Sequence, residues 1–151
     1  MKIISLIIIT LFANNALALT FNIINLCDNS LYLSKKITVD LQTNIGEISI
    51  KTFNDNQIPY IGSIHGMNSI LNTLTGTDAY EVLADNHMRV YGWCYEVNGI
   101  QPSILTSEYK ITKNSNDNIT WFYGYAELIN NDWISYCTPV YSQPHPFVCQ
   151  N

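Results

Sequence analysis

The fold of this chain is decided by residues 89–99, RVYGWCYEVNG, which alternate in size along the sequence. Two sets of side chains interleave there: Val90, Gly92 and Cys94 are small, and Tyr91, Trp93 and Tyr95 are aromatic. A period of two predicts a β-strand, and the closing Asn-Gly pair predicts a tight turn after it. The strand therefore has one small face and one aromatic face.

A second stretch, residues 120–126 (TWFYGYA), has the same organisation, with Phe122, Gly124 and Ala126 opposite its aromatic face. We expect the two strands to form the centre of one sheet. Their joint aromatic face is the candidate ligand-binding surface, and it comprises Tyr91, Trp93, Tyr95, Trp121, Tyr123 and Tyr125. A large exposed apolar patch usually marks a binding site. The alternative, which we favour slightly, is that an N-terminal arm and a C-terminal tail cover this face, since those segments need somewhere to pack.

Length and charge limit the class of protein. The chain has 151 residues, 47% of them hydrophobic, which is enough for one domain with its own core. Its formal net charge is −5, and its few basic residues are scattered along the sequence. No concentrated basic surface is expected, so nucleic acid is excluded as a predicted partner.

The first 18 residues have the features of a secretory signal peptide. Lys2 precedes an apolar run over residues 3–12, and Ala16-Leu17-Ala18 fits the small-x-small rule for cleavage after Ala18. A retained membrane anchor is the alternative, but the run is shorter than the roughly 20 residues that a spanning helix needs. We predict a secreted or periplasmic protein with no membrane association after cleavage.

An even number of cysteines in an exported chain predicts disulfides. The four are Cys27, Cys94, Cys137 and Cys149, and three pairings are possible. We favour Cys137–Cys149, which closes a proline-rich loop, and this leaves Cys27 to pair with Cys94. No C-x-x-C pair is present and the three histidines lie far apart, so a zinc site is not predicted.

The order of predicted elements indicates an α+β fold. Alternation over residues 31–41 and again over residues 47–51 predicts a hairpin, and Met67, Ile70, Leu71 and Leu74 have the spacing of an amphipathic helix. Strands follow, which suits a ubiquitin-like β-grasp with the helix on the small face of a mixed sheet. The expected organisation is an N-terminal arm at residues 19–30, a β-grasp domain at residues 31–130 and a disulfide-closed C-terminal extension at residues 131–151.

Three motifs carry a resemblance to a known family. They are Gly62 followed by Gly66-x-x-x-Ile70-Leu71, then Tyr91-Gly92-Trp93-x-Tyr95-x-Val97-Asn98-Gly99, and finally Asp117-x-Ile119-x-Trp121-x-Tyr123. Across residues 37–125 the chain resembles exported domains of unknown function related to the C-terminal β-grasp domain of transcobalamin. The resemblance implies a binding scaffold and assigns no ligand.

The predicted function is a non-catalytic binding module without a cofactor, whose partner is a small molecule, a glycan or a protein. The alternative is a small secreted hydrolase with a site near Ser63, His65 and Asp78. Ser63 and His65 lie two residues apart, but the nucleophile-elbow motif G-x-S-x-G is absent. We therefore predict no catalytic residue and no metal ligand.

Overall fold

The computed structural model describes residues 16–112 and 117–142. The helices and strands are β1 (Ala16–Ile24), β2 (Leu31–Asp40), α1 (Ile45–Asp55), β3 (Tyr60–Ser63), β4 (Gly66–Ile70), β5 (Tyr80–Ala84), β6 (His87–Val97), β7 (Asn118–Ile129) and β8 (Asp132–Pro139). Short 3₁₀ turns at Gly76–Ala79 and Val140–Ser142 precede β5 and follow β8.

Six of the strands form one mixed sheet in the order β2-β1-β7-β6-β5, and β8 pairs with β7 beyond the part that β1 occupies. β1 and β7 are parallel, and the other pairings in the sheet are antiparallel. β3 and β4 form a separate two-stranded hairpin. The predicted α+β class is confirmed.

Helix α1 includes residues 47–51, whose alternation predicts a strand, so this prediction is wrong. Asn44 caps its N-terminus by accepting a hydrogen bond from the Glu47 backbone N–H at 2.8 Å. Ile45, Ile48 and Phe53 then give a buried stripe with helical spacing. The short alternation of Ile48 and Ile50 around a serine imitates a strand, because three residues cannot distinguish a period of two from a period of 3.6.

The predicted helix around Met67 is wrong. Met67 and Ile70 belong to β4, and Leu71 and Asn72 then adopt positive φ angles of 59°, which no helix tolerates. The apolar spacing is helical by coincidence: Met67, Ser69 and Ile70 are buried where the hairpin meets the core, while Leu74 is exposed. The predicted hairpin is also wrong, because β2 pairs with β1 instead of with residues 47–51.

Residues 19–24 of the predicted N-terminal arm belong to β1 and are an integral part of the sheet, and residues 25–30 connect β1 to β2. Thr20 to Ile23 pair with Asn118 to Trp121 of β7, and Phe21 and Ile23 are fully buried. Residues 1–15 lie outside the described residues. Cleavage after Ala18 would remove three residues of β1 that pair with β2 and would leave every residue that pairs with β7.

The disulfide pairing differs from the prediction. Cys94 of β6 is bonded to Cys137 of β8, 43 residues later, so neither Cys27–Cys94 nor Cys137–Cys149 is formed. Sequence spacing misled the prediction because β8 returns over β7 and brings Cys137 against the neighbouring strand. Cys149 lies outside the described residues.

The main core lies on one face of the sheet, beneath α1, and on the opposite face Phe122 is fully buried against Tyr141. Phe53 of α1 packs against Phe21 of β1 and Trp121 of β7, with ring centroids 5.8 and 6.3 Å apart. Within the described ranges no helix is long and apolar enough to cross a membrane.

Candidate functional site

The aromatic face of β6 and β7 is part of the core. Tyr91, Trp93, Trp121 and Tyr123 are buried, and Tyr95 and Tyr125 are half-buried. The face is covered by α1 and by the β3–β4 hairpin, and the small face is the one that the helix does not touch. The prediction that the helix packs on the small face is therefore wrong, and the six aromatic residues do not form an exposed platform. Their size explains the arrangement, since this face offers the most apolar area to bury.

The polar tips of these aromatic side chains are held by neighbouring segments. Trp93 donates its indole N–H to the Thr73 hydroxyl at 2.8 Å, and Tyr95 donates to the Ile104 carbonyl at 2.8 Å. Burial raises the pKa of Tyr123 and of Tyr95 to about 12, so both stay protonated at physiological pH. Trp93 and Tyr95 are therefore fixed in position at the margin of the core.

β6 has an open edge along its second half. On one side it pairs with β7 over its full length, from His87 to Val97, without a register shift. On the other side β5 reaches only as far as Val90. In the part of the chain that the structure describes, no strand pairs with β6 on this side between Val90 and the turn at Val97.

Hydrogen bonds at the end of β6 show which backbone groups face this edge. Val97 exchanges two backbone hydrogen bonds with Ile100, at 2.9 and 3.1 Å, so its N–H and C=O point away from β7. The next residue, Asn98, donates to the Asn118 carbonyl on the β7 side. Because this direction alternates along a strand, the N–H and C=O of Trp93 and Tyr95 point to the open edge.

Three neighbouring cavities lie beside this edge, and the one against residues 101–106 touches both Tyr95 and the Cys94–Cys137 disulfide. Their volumes are about 400, 530 and 210 Å³, and Trp93 borders all of them. The largest lies against the β3–β4 hairpin, and the smallest lies against residues 101–106. Because Trp93 lines each of them, the three cavities lie side by side along the open edge.

A fourth cavity, of about 250 Å³, lies on the small face of the same strand. Gly92 and Ala126 line it from β6 and β7, and Tyr136 and the Cys94–Cys137 disulfide line it from the β8 side. The open edge of β6 thus has space on both of its faces. We call the edge with these four cavities the β6 groove.

Among the described residues, no hydrogen bond joins the side chains of Ser63, His65 and Asp78, the residues of the predicted hydrolase site. The Ser63 hydroxyl accepts a hydrogen bond from the His65 backbone N–H at 3.2 Å. The His65 ring instead contacts Ser107, with 2.9 Å between Nδ1 and Oγ, and this pair is exposed to solvent. Asp78 lies in the 3₁₀ turn before β5, on a different element.

Comparison with known proteins adds little to this geometry. No family model and no curated protein matches the chain. A crystal structure from Ruminococcus gnavus ATCC 29149, named "putative metal binding protein", is similar with a TM-score of 0.39 and 13% identity, over 72% of this chain and 98% of that chain. In the described residues there is no group of three or more histidine, cysteine, aspartate or glutamate side chains that could hold a metal ion.

Sequence reasoning located the strand of the β6 groove but missed its other walls. These come from the β3–β4 hairpin and residues 101–106, whose approach to Trp93 depends on tertiary packing. One local signal was available: Gly92 is a glycine inside a strand, a position that often marks close approach of another backbone or a ligand.

The two glycines that face each other across β6 and β7 are expected to respond differently to substitution. A Cβ at Gly124 would lie 2.9 Å from the Thr138 carbonyl oxygen, whereas one at Gly92 would meet nothing within 4 Å. We expect Gly124→Val to lower the free energy of unfolding by about 1–3 kcal/mol through overpacking. Gly92→Val should leave it unchanged or raise it by up to about 1 kcal/mol.

Urea denaturation followed by circular dichroism compares the two variants directly, and each serves as the control for the other. Equal destabilisation by both substitutions would contradict the open space assigned to the Gly92 side.

Proposed function

We propose that this protein is a non-catalytic binding module that takes up an extended polypeptide strand along the open edge of β6. The observation that supports the proposal is the position of the Trp93 and Tyr95 backbone groups, which face an edge with cavities on both sides. An added strand would receive main-chain hydrogen bonds from β6. Its side chains would alternate between the two faces and enter the cavities there.

The contrast with another edge of the sheet supports this use. β2 is an edge strand that carries the exposed charged residues Lys35, Lys36 and Asp40. Charged side chains of this kind discourage pairing with other chains. Between Val90 and Val97, β6 carries a single charged residue, Glu96, so its open edge has less of this protection than β2 has.

The charge of the groove defines the class of strand that it would accept. The chain has a net charge of −5, yet the described residues that line the four cavities include no aspartate, glutamate, lysine or arginine. Burying an unpaired charge against such a surface is costly. The strand is therefore uncharged where it lies against β6.

The proposed location is outside the cytoplasm, in the periplasm or the medium. The Cys94–Cys137 disulfide supports it, because such bonds persist mainly in oxidising compartments. The signal-peptide pattern of residues 1–18 is the second line of support.

The proposed fold family is the β-grasp, related to the C-terminal domain of transcobalamin. Its support is the β1–β2 hairpin followed directly by α1, which crosses a mixed sheet whose central strands β1 and β7 are parallel. A shared fold does not assign a ligand, so the polypeptide partner rests on the groove alone.

Selection from a library of random nine-residue peptides displayed on phage tests the function. Binders should be uncharged over at least four consecutive residues. Two N-methylated versions of one selected peptide then form a matched pair. One is methylated at the backbone nitrogens of its odd-numbered residues, and the other at those of its even-numbered residues. We expect one version to bind at least about tenfold more weakly and the other to bind normally, because only one phase faces β6.

Amide hydrogen exchange supplies an internal control on the protein side. The N–H groups of Trp93 and Tyr95 should exchange quickly in the free protein and slowly with peptide bound. Those of Gly92 and Cys94 bond to β7 and should be slow in both states. Failure to select any binder, or equal binding of both N-methylated peptides, would contradict strand addition.

A further inference from the structure

We infer that the cavity on the small face of β6 is a specificity pocket for one aromatic side chain of the bound strand. This inference rests on the proposed function and names the residue class that the groove selects. The cavity borders the open edge at Gly92 and extends across to Ala126 of β7. A strand added at that edge sends every second side chain to this face, so one of them lies directly over the cavity.

The base of the pocket is formed by exposed backbone. Gly92 and Gly124 are register partners, so two adjacent strands lack a side chain at the same level. Packing explains why residue 124 is a glycine, because β8 crosses it and the Thr138 carbonyl occupies the space of a Cβ. Packing does not explain why residue 92 is a glycine, since a Cβ there would meet nothing within 4 Å. The space above Gly92 is open in the described part of the molecule and is available to a side chain from outside.

The walls of the pocket favour an aromatic ring. Tyr136 is 69% exposed and lines the cavity, and the Cys94–Cys137 disulfide lines it as well. An aromatic ring gains from stacking or edge contacts with another ring and from contact with sulfur. The lining has no charged side chain, so a lysine, arginine, aspartate or glutamate in this position would be buried without a partner. A volume of about 250 Å³ has room for a large side chain.

A double-mutant cycle between the protein and a selected peptide tests the pocket. The peptide is varied at each position in turn to Phe, Leu, Ala and Lys, and binding is measured to the oxidised wild type and to Gly92→Leu. On the wild type we expect one position where Phe binds at least about tenfold more tightly than Ala, as burial of a large apolar side chain requires. On Gly92→Leu the leucine fills the pocket, and the preference at that position should disappear.

Thr38→Leu is the matched control. It also introduces a leucine on a strand of the same sheet, but Thr38 is exposed on β2 and lines none of the four cavities. The preference for Phe should survive this substitution. Tyr136→Ser gives a second test that does not depend on how Gly92→Leu folds, because Tyr136 is largely exposed. It should weaken the Phe peptide about fivefold and leave the Ala peptide unchanged.

The outcomes separate the pocket from the groove. In one outcome only one of the two N-methylated peptides binds normally, but no peptide position prefers an aromatic residue. This result overturns the pocket and leaves strand addition intact. A Phe preference that persists in both Gly92→Leu and Tyr136→Ser also overturns the pocket. Equal binding of the two N-methylated peptides overturns both the pocket and strand addition.

Discussion

Replacing Cys94 and Cys137 together by alanine is expected to lower the free energy of unfolding by about 4 kcal/mol, within a range of about 2–5 kcal/mol. The bridge joins residues 43 positions apart, so its loss frees a long loop in the unfolded chain. It also releases β8, whose pairing with β7 is interrupted by two register shifts and includes few consecutive ladder pairs. Urea denaturation of the oxidised proteins, followed by circular dichroism, measures the difference.

The double variant is required because a single substitution would leave an unpaired thiol that could exchange with other cysteines. Thr138→Ala is a suitable control on the same strand, and it should cost far less. A loss below about 1 kcal/mol in the double variant would show that β8 is held by its ladder and packing alone.

Trp121→Ala is expected to lower the free energy of unfolding by about 3–5 kcal/mol, the usual cost of emptying a large aromatic site in a core. Trp121 is 1% exposed and packs against Phe53 of α1. Its indole N–H donates to the Ser49 hydroxyl at 2.9 Å, and Ser49 in turn donates to the Ile45 carbonyl at 2.7 Å. The side chain thus joins the central strand to the helix by both packing and a buried hydrogen bond.

Ser49→Ala separates the two contributions. It keeps the packing but leaves a buried indole N–H without its acceptor, which should cost about 1–3 kcal/mol. Because the two residues touch, the costs of Trp121→Ala and Ser49→Ala should add to more than the cost of the double variant. Additive costs, or a cost for Trp121→Ala below about 1 kcal/mol, would contradict this arrangement.

The centre of the sheet could be predicted from the sequence, and its surroundings could not. Long alternating segments such as residues 89–97 have enough repeats to define a strand and its two faces. The four or five residues around Ile48 and Met67 fit both periods, and the structure assigned them the opposite way from the prediction. At Met67 tertiary packing overrode the local pattern, whereas at Ile48 the Asn44 cap and the buried stripe of α1 are themselves local signals of a helix.

The candidate site shows the same limit. The alternation predicts that Trp93 and Trp121 share one face of two paired strands, and the strand pairing agrees with this, but which face the helix covers depends on the total apolar area that is buried. That area depends on α1 and the β3–β4 hairpin, and the local patterns predict a strand in the first segment and a helix in the second. The open edge of β6 results from the order and the lengths of the strands in the sheet. No local sequence pattern predicts how far β5 extends along β6.

The parallel pairing of β1 with β7 has a consequence for how the chain folds. The Asn22 side chain donates to that of Asn118 at 2.6 Å, and the two residues are 96 positions apart. Contacts of such long sequence separation slow folding, because the loop between them must close before they form. At a synthesis rate of about 5–20 residues per second, roughly 5–20 seconds pass between the synthesis of β1 and that of β7. During that interval the N-terminal part of the chain cannot complete its sheet, because the strand that pairs with β1 in parallel is made last among its partners.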